Sequence, residues 1–146
     1  MDSLTPEKRS WNMSRIRSRD TKPEIAVRSL LHRMGYRFRL HSQHLPGHPD
    51  IVLPKYKTVI FVHGCYWHRH KGCRYAYTPK SRVDFWTGKF SENVERDQRR
   101  EYELQTLGWN VLIVWECETR NMKMIERRID REFKDLEKDQ SMRNYQ

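Results

Sequence analysis

A single carboxylate stands among many cations in the first half of the chain. Between residues 25 and 83 the sequence holds eleven Lys or Arg residues and one acid, Asp50. Asp50 could form an ion pair with a neighbouring Arg, or it could bind Mg²⁺, which prefers carboxylate and carbonyl oxygens. In the second case, the basic surface would bring a phosphodiester to the metal. Glu24 is the nearest other acid, and it either complements a helix dipole or helps to hold metal-bound water.

Three cysteines and two histidines form a second group with metal-binding chemistry. Cys65 and Cys73 lie in one short segment with His68 and His70, whereas Cys117 lies far along the chain. Cys65 and Cys117 each follow a predicted buried strand, so strands ending on the same side of a sheet would bring the thiols together. Three Cys and one His are typical of a closed, structural zinc site, and the alternative is three unrelated buried thiols. His70 is the expected fourth ligand, although His68 could replace it.

The remaining histidines of this segment could serve catalysis. If zinc takes His70, then His63 and His68 stay free beside the Asp50 strand. A neutral imidazole can take a proton from an attacking water, and an imidazolium can stabilise a leaving oxygen. Each residue alone is more often an ordinary polar side chain, but the pair beside an expected metal carboxylate favours the catalytic interpretation.

Two pairs of adjacent aromatic residues, Tyr66–Trp67 and Phe85–Trp86, lie in polar, basic stretches. Adjacent residues point in different directions, so both members of a pair rarely bury in one core. In a nucleic-acid-binding protein such rings stack on bases or wedge between them. Ordinary packing around the zinc loop is the alternative, and it is comparably favoured for Phe85.

Composition excludes several classes of protein. The longest apolar run, residues 111–115, is far shorter than a membrane span needs, and no apolar signal segment is visible near the N-terminus. Three cysteines do not suggest a secreted disulfide scaffold. The net charge of +10 indicates an anionic partner. A nucleic acid is favoured over an anionic membrane, because the basic residues alternate with core-type residues and do not form one amphipathic helix.

Hydrophobic periodicity predicts the elements that carry these residues. A first helix starts at residues 20–24 and ends at Gly35. A second helix is predicted at 91–107, and a third begins at Met122. Strands are predicted at 36–40, 50–53, 58–62 and 109–115. The predicted fold is α/β in the order α-β-β-β-α-β-α, with one domain at residues 20–140. Residues 1–19 are predicted to form a basic helical arm that contacts DNA, and residues 141–146 a disordered tail.

Several stretches together resemble the very-short-patch repair (Vsr) family of DNA mismatch endonucleases. In order along the chain these are Asn12-Met13, Arg19-Asp20-Thr21, residues 45–50, residues 59–68, residues 93–97 and residues 107–117. The resemblance implies a restriction-endonuclease-like core, with a mixed sheet flanked by helices and a structural zinc site. It also implies an enzyme that nicks duplex DNA 5′ to the T of a T·G mismatch left by deamination of 5-methylcytosine.

The resemblance also implies a role for individual residues. Asp50 and the main-chain carbonyl of Val62 would bind Mg²⁺, His68 would be the general base, and His63 and Glu24 would assist through metal-bound water or the phosphate. The implied zinc ligands are Cys65, His70, Cys73 and Cys117. The implied residues that wedge into the duplex are Tyr66, Trp67, Trp86 and, from the N-terminal arm, Met13. Arg69 and Lys71 interrupt the family's run of His, and Tyr66 stands where Phe is familiar.

The implied partner is double-stranded DNA with a T·G mismatch. Mismatch-repair proteins and a cytosine-5 methyltransferase are further candidate partners of what is expected to be a monomer in the bacterial cytoplasm, associated with the nucleoid. Two other functions fit some of these features. A restriction-type or structure-specific nuclease would share Asp50 but differ in substrate. A non-catalytic zinc-stabilised DNA-binding module would leave Asp50, His63 and His68 without a common task.

Overall fold

The computed structural model describes residues 20–144, with side chains described to residue 138. The predicted arm at residues 1–19, including Met13, lies outside the described residues. The described helices are α1 (Lys22–Arg33), α2 (Val83–Thr106) and α3 (Met122–Asn144). The strands are β1 (Arg39–Leu40), β2 (Ile51–Leu53), β3 (Thr58–His63) and β4 (Asn110–Trp115). The order α-β-β-β-α-β-α is therefore confirmed, while the division into arm, domain and tail stays a prediction.

The four strands form one mixed sheet in the order β1-β2-β3-β4. β1 and β2 are antiparallel, as are β2 and β3, whereas β3 and β4 run parallel, with Thr58 opposite Asn110 and His63 opposite Trp115. Because β3 and β4 run in the same direction, the segments that follow them leave from one edge of the sheet. This topology brings the segment after His63 next to the segment after Trp115.

Helices cover both faces of the sheet, which makes three layers. On one face, Leu31 of α1 and Phe133 of α3 pack with Ile60 in the main core. On the other face, Leu104 of α2 packs with Val59 and Val52 in a smaller core. The strand residues alternate between the two cores because successive side chains of a strand point to opposite faces.

Two element boundaries differ from the sequence prediction. Strand β1 covers two residues of the predicted 36–40. Helix α2 begins at Val83, not at Ser91, so Phe85 and Trp86 lie in its first turn. Gly88 and the aromatic residues there are weak helix formers, but Trp86 and Phe90 are one helical turn apart and stack with ring centroids 5.8 Å apart. Packing therefore outweighs propensity in this turn.

Candidate functional site

A cleft of about 330 Å³ opens on the α2 side of the sheet. Its lining includes Asp50 at the start of β2, His63 at the end of β3 and His68 in the following loop, with Asp97 and Arg100 contributed by α2. Acid, imidazole and guanidinium groups thus converge on one concave surface. This combination suits acid–base chemistry on an anionic substrate.

The half-buried Asp50 forms an acidic pair with the buried Glu24. Its Oδ2 accepts a hydrogen bond of 2.8 Å from the backbone N–H of Val62. Burial raises the pKa of Asp50 to about 7; the Val62 N–H lowers it and the nearby Glu24 raises it further. Glu24 is only 1% exposed, and its Oε1 has no hydrogen-bond partner among the described residues. The buried carboxyl group of Glu24 and the adjacent, half-buried one of Asp50, with one oxygen unpartnered, form a donor set that a divalent cation would compensate.

A network of charged groups holds Glu24 in place. The backbone N–H of Asp20 donates to Glu24 Oε2 over 2.7 Å, and Arg28 Nη1 lies 3.1 Å from Asp20 Oδ1 and 3.9 Å from Glu24 Oε2. His41 Nε2 lies 3.2 Å from Asp20 Oδ1 and 3.6 Å from Glu24 Oε2. The backbone N–H of His41 also donates to the Asp50 carbonyl over 3.0 Å. His41 therefore connects the two residues of the acidic pair, because its ring lies beside Glu24 and its backbone is hydrogen-bonded to Asp50.

His63 and His68 stack face to face, with ring centroids 3.9 Å apart. His68 Nδ1 lies 2.6 Å from Asp97 Oδ2, a short hydrogen bond. Burial lowers the pKa of His63 to about 3, and the neighbouring His68 acts in the same direction, so His63 is neutral near pH 7. Burial acts to raise the pKa of Asp97, but the hydrogen bond and charge of His68 outweigh it and hold that pKa below its usual value. Asp97 is therefore a carboxylate that can orient the imidazole of His68 and stabilise its protonated form.

The three thiols and His70 are brought together as the sequence predicts. One ligand atom from each of Cys65, His70, Cys73 and Cys117 can be chosen so that all lie within 4.8 Å of one another. The Sγ of Cys117 is 3.4 Å from His70 Nδ1, and the backbone N–H of Cys117 donates to Cys65 Sγ over 3.4 Å. A Cys₃His set of this kind is compatible with zinc. His68 is not part of this cluster, because it pairs with Asp97.

Trp115, the last residue of β4, lies between the two histidine sites. Its ring stacks on His70 with centroids 4.3 Å apart and meets the edge of His63 with centroids 5.3 Å apart. From the sequence, Trp115 is only the last residue of the strand predicted at 109–115 and has no functional role. The structure places it in contact with a residue of the thiol cluster and a residue of the cleft.

The aromatic residues proposed to wedge into DNA pack against one another. We call the set the aromatic cluster, and its members are Tyr66, Trp67, Tyr77, Phe85, Trp86 and Phe90. Tyr66, Trp67 and Trp86 are half-buried, while Phe90 is buried. The outermost rings are Tyr77, which is 63% exposed, and Phe85, which is 50% exposed. The side chain of Asn93 donates to the Trp67 carbonyl over 3.2 Å, which ties the cluster to α2.

Besides Trp115, sequence reasoning missed two residues of this site, Asp97 and His41. Asp97 lies in a helix whose charges are typical of an ordinary solvated face, and His41 lies outside the two groups of residues that the sequence predicts to bind metal or to serve catalysis. The usable signal for Asp97 was the stretch at residues 93–97, which resembles the family; the sequence carried no such signal for His41.

None of the described helices has the length and hydropathy that crossing a membrane requires.

Comparison with known proteins gives a consistent family. A model of the family described as DNA mismatch endonuclease Vsr matches residues 1–74. The chain is 53% identical to the type II nicking enzyme V.XorIIP of Xanthomonas oryzae pv. oryzae, with 88% of this chain and 93% of the relative covered. It is 48% identical to the DNA mismatch endonuclease Vsr of Escherichia coli, covering 80% of this chain and 74% of the relative. It is 44% identical to the type II nicking enzyme V.NmeAIP of Neisseria meningitidis, with 92% of this chain and 96% of the relative covered.

A solved structure has the same fold. The catalytic domain of the homing endonuclease I-Bth0305I superposes with a TM-score of 0.57 at 21% sequence identity. The match covers 80% of this chain and 98% of that domain. At this identity the likeness supports the fold alone.

Proposed function

The chain belongs to the Vsr family of DNA mismatch endonucleases, and on that premise we propose that it nicks duplex DNA 5′ to the T of a T·G mismatch. That it is a DNA endonuclease follows from the family itself. The observation that carries the proposed hydrolysis is the cleft in which the half-buried carboxyl of Asp50 lies with the paired His68 and Asp97. The proposed site of action is the bacterial cytoplasm beside the nucleoid.

The acidic pair would hold Mg²⁺. Asp50, assisted by Glu24 and the main-chain carbonyl of Val62, would provide the oxygen ligands. The unpartnered Oε1 of Glu24 and the raised pKa of Asp50 both support this, because a cation there would satisfy buried acceptors that the described residues leave uncompensated. When bound, Mg²⁺ would supply neutralisation of charge on the phosphate and acidify water. The basic window around Asp50 supplies the attraction for the phosphodiester.

His68 is proposed as the general base. Its Nδ1 is engaged by Asp97 at 2.6 Å, which leaves Nε2 as the atom that takes a proton from the attacking water. The Asp97 carboxylate stabilises the imidazolium that results. His63, stacked on His68 and neutral near pH 7, would donate a hydrogen bond or assist at the phosphate without adding a second positive charge.

The Cys₃His cluster would hold structural zinc. Four protein ligands would leave no open position, so its proposed role is to fasten the loop after β3 to the end of β4. His68 lies in that loop, between Cys65 and His70. The position of the proposed base would therefore depend on zinc, although zinc would take no part in cleavage.

The aromatic cluster would open the duplex at the mismatch. Tyr66, Trp67 and Trp86 are proposed to wedge from one groove, and Met13 of the N-terminal arm from the other. Unstacking costs least where pairing is already weak, which favours a mismatched step. Mismatch-repair proteins and a cytosine-5 methyltransferase stay predicted partners, as does the monomeric state.

Replacing Asp50 by Ala tests the proposal. The variant should bind a T·G duplex as wild type does but lose nicking in the presence of Mg²⁺, because the proposed metal ligand is gone. Glu132→Ala is a matched control, since this exposed acid lies on α3, on the other side of the sheet from the cleft. Full activity of Asp50→Ala would refute the assignment. Equal cleavage of matched duplexes by wild type would favour a restriction-type nuclease, and binding without cleavage by wild type under any divalent ion would favour a DNA-binding module.

A further inference from the structure

Tyr77 is a large exposed ring that adjoins the proposed wedge. Its ring centroid lies 5.1 Å from that of Tyr66, with the planes tilted by 49°. Despite this contact, Tyr77 remains 63% exposed, more than any other ring in the aromatic cluster. An exposed apolar face attached to a packed aromatic cluster is more informative than an isolated surface tyrosine. The roles implied by the family do not include Tyr77.

The backbone at Tyr77 is fixed by Arg69. The Arg69 guanidinium donates to the carbonyl of Tyr77 over 2.9 Å and to the carbonyl of Ala76 over 2.7 Å. It also donates to the Tyr66 carbonyl over 3.2 Å, and its Cζ lies 3.9 Å from the centroid of the Phe90 ring. The planar Arg69 guanidinium thus joins the backbone at Tyr66 and the backbone at residues 76–77 to Phe90 of α2. Tyr77 is therefore presented on a braced segment, which reduces the entropy lost when it binds.

The charge around this segment identifies the chemistry of its partner. Residues 66–90 contain six Lys or Arg residues and one acid, Asp84. Phe85, the other exposed ring, has the Arg82 guanidinium 4.5 Å from its centroid. A surface that alternates exposed rings with cations complements a polymer that alternates flat bases with phosphates. A duplex opened at a mismatch presents both.

We propose that Tyr77 is a further DNA-stacking residue, which contacts a base or sugar at the edge of the opened step beside Tyr66. This inference rests on the proposed function, since it needs a duplex held against the aromatic cluster. Arg69 is the positioning residue that holds the Tyr77 backbone. The ring of Tyr77 extends the stacking surface beyond the half-buried Tyr66, Trp67 and Trp86.

The test compares Tyr77→Ala with Tyr77→Phe and Tyr77→Leu. Tyr102→Ala is the matched control, because Tyr102 is 70% exposed on α2 but lies between Glu101 and Glu103. The probe is a T·G duplex with 2-aminopurine next to the mismatch, whose fluorescence reports stacking, and the Kd is measured on the same duplex. Tyr77→Ala and Tyr77→Leu should weaken binding by about five- to tenfold, the low end for loss of one base–aromatic stack. Tyr77→Phe should bind as wild type does, and all variants should keep the wild-type melting temperature.

The results separate the inference from the proposed function. If wild type nicks the T·G duplex and Tyr77→Ala matches Tyr102→Ala in affinity and fluorescence, the inference is overturned while the proposed function stands. An equal loss in Tyr77→Phe and Tyr77→Ala would also overturn it, because the hydroxyl and not the ring would then make the contact. If wild type fails to prefer or nick the T·G duplex, the proposed function fails, whatever Tyr77 does.

Discussion

Replacing Asp97 by Asn should slow nicking without weakening DNA binding. Asp97 Oδ2 lies 2.6 Å from His68 Nδ1, and the substitution keeps the shape of the side chain while removing its charge. A hydrogen bond to a charged group contributes roughly 1.5–3 kcal/mol, and here most of it stabilises the imidazolium that forms as water is deprotonated. The loss corresponds to a rate about 10- to 150-fold lower. If the Asn amide donates to Nδ1, it places the His68 proton on Nε2 and deepens the loss.

The assay is single-turnover nicking of an end-labelled T·G duplex at saturating enzyme. Binding to the same duplex is measured without Mg²⁺, and thermal unfolding checks the fold. Glu95→Gln provides the control, because Glu95 is an exposed acid on the same helix, two residues before Asp97. Nicking by Asp97→Asn at the rate of Glu95→Gln would refute the proposal that Asp97 orients the general base. A rate loss accompanied by an equal loss of affinity would do the same.

Three further predictions concern the metals and the charge. Burial, with Glu24 adding to it, raises the pKa of Asp50 to about 7, so without Mg²⁺ the folded protein keeps a proton that the unfolded chain releases near pH 4. The unfolding free energy of the wild type, relative to that of Asp50→Asn, should therefore fall by a few kcal/mol as the pH rises from about 4 to about 7 and then level off. Denaturant unfolding at several pH values measures this, and parallel curves would contradict it. Cys117→Ser should lose bound zinc and melt at a lower temperature, which elemental analysis and thermal unfolding would show; wild-type zinc content in the variant would exclude Cys117 as a ligand. The logarithm of the DNA affinity should fall linearly with the logarithm of salt concentration, since phosphate contacts release counterions, and a flat plot from binding titrations would argue against the basic surface as the docking site.

The fold was predictable because its signals are local. The periodicity of α1 and α3 and the apolar runs of β3 and β4 identify the elements and their order. The start of α2 was not predictable, because Val83 to Phe90 contains Gly88 and several aromatic residues whose helical state depends on packing. The length of β1 was also overestimated. Alternation over residues 36–40 predicts a strand, but only Arg39 and Leu40 pair with β2.

The candidate site was likewise predictable from the sequence only in part. The meeting of Cys65 with Cys117 was predictable, because two parallel strands that end together bring the following residues into contact. The partners of the catalytic candidates were not. Asp97 is 29 residues from His68, and its role arises only when α2 packs across the sheet. His41 reaches the acidic pair through a left-handed backbone, with φ of 50°, which no periodicity signals.

The central claim is strand-specific cleavage at a mismatch, and one nicking experiment tests it most directly. Two duplexes differing only in one pair, T·G or C·G, are labelled separately on each strand and incubated with the wild-type chain, zinc-loaded, in Mg²⁺. The account predicts one cut, on the T-containing strand, 5′ to the T of the T·G pair, with the matched duplex intact. Equal cutting of both duplexes, cutting of the G-containing strand, or no cutting of the T·G duplex would contradict it.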